Sequence, residues 1–251
     1  MEEIHTILAY ESSLKIIQKK ESFNFSIDST IISFFAIDKK KRIDRIIDLG
    51  SGTGAIPLFM SLLTTSNNIY GVEIQKEIAD LSKKSIKLNN LDNRIQILDK
   101  DIKGISKEFE TSYFDLVISN PPYFRLDDTK DKNESESMSI ARHEVLITME
   151  DIIKEAKILL KDNASLVMIQ RTERFLETIS LLDKYGFSLK RVRFVYPKKD
   201  KDSYVFMFEA KKSPKKMGLK VEKPLYIYEN NDYSREILEY FHYGEDDEKK
   251  Q

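Results

Sequence analysis

Cysteine is absent from the 251 residues, and histidine occurs only three times. The first absence removes disulfides, thiol nucleophiles and cysteine zinc sites, and it agrees with a reducing cytoplasm, the expected location. His5, His143 and His242 are scattered without metal-ligand spacing, so no metal is expected. No run of about 18 apolar residues exists to span a membrane. The start, Met1-Glu2-Glu3-Ile4-His5, lacks the basic and apolar regions of a secretory signal. An excess of one charge is missing too: 41 basic against 42 acidic side chains leave a net charge of −1. Taken over the whole chain, that balance argues against a nucleic-acid partner. What is present is 41% hydrophobic residues, on a length ample for a buried core. That excludes a wholly disordered chain.

From about residue 43, short β-rich runs alternate with helical stretches, the pattern of an α/β fold with a mostly parallel sheet and helices on both faces. Strands are expected at 45–49, 68–73, 95–98, 114–118 and 166–169, with helices at 55–63, 75–89, 148–160 and 172–185. Thr148 suits an N-cap, with Glu150 and Asp151 in the first turn. Two last runs, 190–196 and 203–210, are separated by Pro197–Asp202. Six residues are too few for a helical crossover, so this pair forms a terminal antiparallel hairpin. The expected division is an amino-terminal extension over 1–42, the main domain over 43–224, and a carboxyl-terminal extension with a charged tail over 225–251. The polar stretch 127–139 and the tail 244–251 carry no apolar period.

Asp48-Leu49-Gly50-Ser51-Gly52-Thr53-Gly54-Ala55 joins the first of these strands to its helix. Glycines let the chain turn sharply and let a ligand approach closely. Glu73, 19 residues past Gly54, ends the next strand, where a carboxylate can accept both hydroxyls of an adenosine ribose. The spacing satisfies a dinucleotide fingerprint and suits S-adenosylmethionine equally, so it leaves the cofactor class open.

Ser119-Asn120-Pro121-Pro122-Tyr123 ends the fourth strand, on the carboxyl edge where open α/β sheets bind ligands. Each proline fixes its φ, biases its predecessor to extended geometry and lacks an N–H. The Asn120 side-chain oxygen and the Pro121 carbonyl are thereby fixed acceptors, able to share one –NH₂ group. Tyr123 offers a face to a planar base or amide. An exocyclic amine is a poor nucleophile because its lone pair is conjugated into the ring. Acceptors held out of that plane draw it toward tetrahedral geometry, a preorganised stabilisation of the transition state. A sulfonium methyl aligned with the nitrogen completes an in-line displacement that needs no nucleophilic side chain.

Asp48–Gly54, Glu73, Asp101-Ile102 and Asn120–Tyr123, in this order, resemble class I S-adenosylmethionine-dependent methyltransferases of exocyclic amines. More narrowly, Gln18 with Phe23–Ser29, Ala141–Glu144, Gln170–Arg174 and Pro224–Tyr228 resemble the bacterial tRNA1(Val) adenine-37 N6-methyltransferase family. The resemblance covers roughly residues 14–240. It implies that Asp48, Gly50, Gly52 and Gly54 surround the methionine part of the cofactor, and that Glu73 holds the ribose. Asp101 and Ile102 would take the cofactor adenine, with Asp99 an alternative to Asp101. Phe25 and Asp28 would close the cofactor pocket. Asn120, also at the cofactor's edge, would hold the target adenine together with Pro121, Pro122 and Tyr123.

Charge by region alters the first impression. Between Gly186 and Pro224 stand 12 basic and 4 acidic residues, a local balance of +8. Lys198, Lys199 and Lys201 are candidate RNA contacts, as are Arg125, Arg142 and His143 around the 127–139 loop. Phe34-Phe35 and the pair Tyr226/Tyr228 read as packing residues. A target base must leave its stack to enter the pocket, which favours a loop of tRNA over a duplex. The expected activity is therefore N6-methylation of a tRNA adenine from S-adenosylmethionine. The oligomeric state is open, with a monomer favoured. The rivals are methylation of a release-factor glutamine amide, of rRNA or of DNA adenine, a nicotinamide oxidoreductase, and a silent RNA-binding module.

Overall fold

Apolar residues come in consecutive pairs along the strand-forming segments, and each pair is split between the two faces of one sheet. Ile46, Ile118, Val167 and Met207 pack into one buried cluster, whereas their neighbours Ile47, Val117, Leu166 and Phe206 pack into the other. A strand buried on both faces loses the alternation of a half-exposed strand and reads as a continuous apolar run. The computed structural model describes residues 2–6, 14–19, 27–37, 42–121, 147–215 and 218–242.

The central strands are β3 (Arg45–Leu49), β4 (Asn68–Glu73), β5 (Ile95–Asp99), β6 (Phe114–Ser119) and β7 (Leu160–Arg171), joined in parallel in the order β5-β4-β3-β6-β7. Then β9 (Val205–Lys212) inserts antiparallel between β7 and β8 (Phe187–Tyr196), so the expected terminal hairpin is present. The chain leaves β3 towards β4 on one side and β6 on the other. That switch point opens the ligand crevice at the carboxyl ends of β3 and β6.

The first face is covered by α1 (Ile27–Ala36), α2 (Ala55–Leu63), α3 (Lys76–Leu88) and α6 (Arg235–Phe241); the second by α4 (Met149–Leu159) and α5 (Phe175–Lys184). Thr148 caps α4 as expected: its hydroxyl accepts from the Asp151 amide at 3.1 Å, and the Asp151 carboxylate accepts in turn from the Thr148 amide. Such a reciprocal box contributes about 1 kcal/mol.

Several elements carry no clear sequence signal. A hairpin of β1 (Glu2–Thr6) and β2 (Lys15–Lys19) docks on α3, with the Lys15 and Ile17 amides donating to Asn89 and Ser85. Short strands β10 (Lys220–Val221) and β11 (Leu225–Tyr226) add in parallel to β8, and β12 (Tyr228–Glu229) turns back as β13 (Asp232–Tyr233). No helix among the described residues is long and apolar enough to cross a membrane.

Candidate active site

Asp48 is the next-to-last residue of β3, and its side chain is 1% exposed. Neither carboxylate oxygen has a hydrogen-bond partner among the described residues. Burial, reinforced by the charge of Glu73, pushes this carboxyl well above the usual carboxylate range. A buried acid without a donor is costly, and it is an observation that needs a ligand to explain it.

The glycine loop wraps over this acid. The Gly50 and Ser51 amides both donate to the Val72 carbonyl of β4, at 3.0 and 2.8 Å. Gly50, Gly52 and Gly54 have φ of 84, 54 and 89°. At Gly54 the space is as restrictive as the torsion, since an added Cβ would stand 2.2 Å from Ser82 Oγ. Only glycine lets α2 begin this close to α3. Glu73 closes the loop from the neighbouring strand: Oε2 accepts from the Gly52 amide at 3.0 Å and Oε1 from the Gln75 amide at 2.8 Å. Burial raises the Glu73 carboxyl, and those amides pull it part of the way back. The Ile74 amide bears on the same carboxylate, which with about four acceptor sites still has room for a hydroxyl donor.

Asp99 pairs with Glu73 across β4–β5 and lies 3.8 Å from Lys76 Nζ. Asp101 does not share its strand, because β5 stops at Asp99. Asp101 is exposed, and its Oδ1 accepts from the Lys103 amide at 2.8 Å. Ile102 is buried, with Cδ1 3.8 Å from where a Gly50 Cβ would stand. It therefore lies directly against the glycine loop.

The end of β6 is tied to the end of β3. Ser119 Oγ donates to the Leu49 carbonyl at 2.6 Å in a fully buried contact. One such bond contributes about 1 kcal/mol, and its larger effect is to fix Asn120 beside the glycine loop. Asn120 Nδ2 lies 3.4 Å from Ser29 Oγ in the first turn of α1. Asp28, the preceding residue of that turn, accepts from the Tyr204 hydroxyl at 3.3 Å. Ser29 and Ser119 lie in motifs that the sequence shows, but these contacts of Ser29, Ser119 and Tyr204 carry no signal there, because the partners lie 91, 70 and 176 residues away. Phe25, Pro122, Tyr123, Arg125, Arg142 and His143, like the whole 127–139 loop, lie outside the described residues.

The acidic character of the crevice separates the two cofactor classes that the glycine spacing left open. A dinucleotide brings an anionic pyrophosphate to this loop, against the buried acid Asp48; Glu73 suits either ribose. S-adenosylmethionine brings a sulfonium and an ammonium, and so fits a buried, unpartnered acid. Among the described residues there is no group of three or more side chains able to hold a metal ion.

The basic stretch 187–223 is less available than its composition suggests. Arg191 pairs with Glu209 and Glu222, and Arg193 with Glu236 at 2.6 Å. Lys211 pairs with Glu209 at 2.9 Å, and Lys212 lies 3.7 Å from Asp162. Burial raises the Glu209 carboxyl, yet Lys211 and Arg191 outweigh it and hold the pKa at about 2. These four cations face inward, and two of their partners, Glu236 and Asp162, belong to other parts of the chain. Lys198, Lys199 and Lys201 do occupy the β8–β9 turn, on the carboxyl edge, and Lys199 lies 3.3 Å from Glu229.

Comparison with known proteins agrees with this geometry. A predicted O-methyltransferase from Agrobacterium tumefaciens superposes with a TM-score of 0.66 at 20% identity, over 86% of this chain and 95% of the other. A tRNA m1G37 methyltransferase from M. jannaschii gives 0.54 at 18% identity, over 84% and 55%. The shared fold is that of class I methyltransferases. In sequence, the chain is 25% identical over 207 residues to a tRNA1(Val) (adenine(37)-N6)-methyltransferase of Dyadobacter fermentans, covering 79% of this chain and 82% of the relative. The corresponding protein of Tolumonas auensis is 26% identical over 196 residues, covering 77% and 78%. Residues 29–195 match the methyltransferase small domain, and the chain belongs to that family.

Proposed function

We propose that this protein transfers a methyl group from S-adenosylmethionine to the exocyclic N6 of a tRNA adenine, adenine 37 of tRNA1(Val). The observation that carries the reading is the Ser119–Leu49 tie, which holds Asn120 at the end of β6 beside the strand that carries the buried acid Asp48. The curated relatives named above act on that tRNA position, which supports the choice of substrate.

S-adenosylmethionine, when bound, supplies a methyl group activated by its positive sulfur. Asp48 and the Gly50–Gly54 loop would hold its methionine part, and Glu73 would accept from the ribose hydroxyls. Ile102 would pack on the cofactor adenine and Asp101 accept from its amine, while Phe25 and Asp28 would close the cofactor pocket. Asn120 Oδ1 and the Pro121 carbonyl would accept the two N–H bonds of the target amine and localise its lone pair. Pro122 would keep that segment extended, and Tyr123 would stack on the base. After transfer the nitrogen is strongly acidic, so its proton leaves without a protein base.

Incubation with methyl-labelled S-adenosylmethionine and undermodified total tRNA tests the reading. Label is expected in N6-methyladenosine; label confined to a protein substrate would overturn it. The turn lysines make a separate prediction. Changing Lys198, Lys199 and Lys201 to glutamine should flatten the logarithmic salt dependence of tRNA binding, by up to about 0.9 for each phosphate that is no longer neutralised. A slope equal to that of wild type would leave them as ordinary surface. Arg125, Arg142 and His143 would add further contacts to the RNA.

A further inference from the structure

Tyr228 is the only aromatic among the exposed large apolar side chains of the described residues, at 40% exposure. It lines a cleft of about 430 Å³ between the β8–β9 turn and the start of α6, together with Lys198, Tyr226, Glu229, Asn230 and Arg235. The sequence reads Tyr226 and Tyr228 as packing residues, and half of that holds. Tyr226 is half-buried, its ring centroid 5.6 Å from that of Tyr196. Tyr228 instead presents a surface.

Its ring is held firmly. Tyr233 stacks on it with centroids 5.1 Å apart and planes 21° from parallel. The Tyr228 amide donates to the Pro197 carbonyl at 2.9 Å, fastening it to the turn that carries the lysines. Beneath, Ser234 donates its amide to the Ile227 carbonyl at 2.8 Å, and Phe34 of α1 stacks on Tyr240 of α6 with centroids 4.4 Å apart. Around the ring, Lys198 has no ion pair among the described residues, and the Arg235 side chain is 91% exposed beside Glu239. Glu229 and Asn230 add hydrogen-bonding groups at the rim.

We infer that this cleft is a second nucleotide subsite, in which Tyr228 stacks on an unpaired base of the RNA substrate other than the methylated adenine. A fixed aromatic face, cations for a backbone phosphate, and an amide and carboxylate for a base edge are what single-stranded RNA requires. The volume falls within the range of small-ligand pockets. Position fits as well. Both β8 and β11 end on the carboxyl edge, and the order β6-β7-β9-β8 with β11 outermost puts the cleft three to four interstrand spacings from Asn120, roughly 14–19 Å. That distance is too great for the target base and short enough for a nearby residue of the same loop. The inference rests on the proposed tRNA reading for the identity of the strand that fills the cleft.

The test uses the full chain and an anticodon stem-loop RNA carrying 4-thiouridine at single loop positions. Irradiation should cross-link one non-target loop position to the peptide that contains Tyr228. Tyr228→Ala should weaken binding of this RNA and raise its KM by about 5- to 100-fold, the usual range for one stacked base. The loss should fall on KM rather than kcat, S-adenosylmethionine affinity should hold, and Tyr228→Phe should restore binding. Cross-links only to other peptides, or equal binding by wild type and Tyr228→Ala, would overturn the subsite. So would a protein substrate, rather than RNA, protecting the cleft. Cross-linking at Tyr228 without adenine methylation would refute the proposed activity and leave the subsite standing. Methylation without any effect at Tyr228 would do the reverse.

Discussion

Asn120→Ala is expected to slow methyl transfer by about 10²–10³-fold, the typical cost of removing one preorganised transition-state interaction. Cofactor affinity should stay within a few-fold of wild type. The separation follows from the construction of the site. The buried acid and the glycine loop belong to β3 and β4, and the Ser119–Leu49 bond that positions the segment does not involve the Asn120 side chain. The substitution leaves the Pro121 carbonyl in place, so one acceptor remains and some activity with it. It also removes the hydrogen bond to Ser29 of α1, which at 3.4 Å is long and is therefore the smaller effect. Single-turnover rates, with cofactor affinity measured by calorimetry, separate the two effects. Near-full activity would remove Asn120 from the mechanism.

Asp48→Asn should have opposite effects on stability and on binding. Burial first, and Glu73 second, push the Asp48 carboxyl well above the usual carboxylate range. The folded state therefore keeps a proton that the unfolded chain releases at an ordinary carboxylate pKa. Stability falls as pH rises through the interval between those two values. Glu73, also raised, acts in the same direction. An uncharged amide at position 48 removes its share of the pH dependence. The melting temperature of Asp48→Asn should thus exceed that of wild type by an amount that grows as the pH is raised through the interval between the ordinary and the raised value. Cofactor affinity should fall about 10- to 100-fold, as expected for losing a charged hydrogen-bond partner. Parallel stability profiles across that range would mean that Asp48 bears no such penalty.

The parts of this protein that the sequence discloses are those whose partners are near in the chain. Asp48, the three glycines and Glu73 fall within one strand–helix–strand unit, so their spacing carries their geometry. The Thr148 box closes over three residues. The strands β3, β4 and β6 are legible because both faces are largely buried, which leaves a nearly continuous apolar run, whereas the edge strand β5 alternates, with Ile95 and Ile97 buried and Gln96 exposed. By contrast, β7 is expected at 166–169 and extends over Leu160–Arg171, since the largely polar residues 161–165 carry no apolar pattern. Helix α1 is hidden because Ile31, Ile32, Phe35 and Ala36 are all buried, which blurs the helical period. Strands β10 to β13 have two residues each, too few to show any period. The charge count misleads for a related reason: Arg193 and Lys212 find their acids at Glu236 and Asp162, across the fold rather than along it.

The central claim is that Asn120 and Pro121 hold an exocyclic amine. The most direct measurement compares two tRNA1(Val) transcripts, one with adenine at position 37 and one with inosine, which lacks that amine. Each is incubated with S-adenosylmethionine and digested to nucleosides. The account predicts N6-methyladenosine from the first and no methylation of the second. Equal methylation of the inosine transcript, or a methyl group on a ring nitrogen of the adenine transcript, would contradict it.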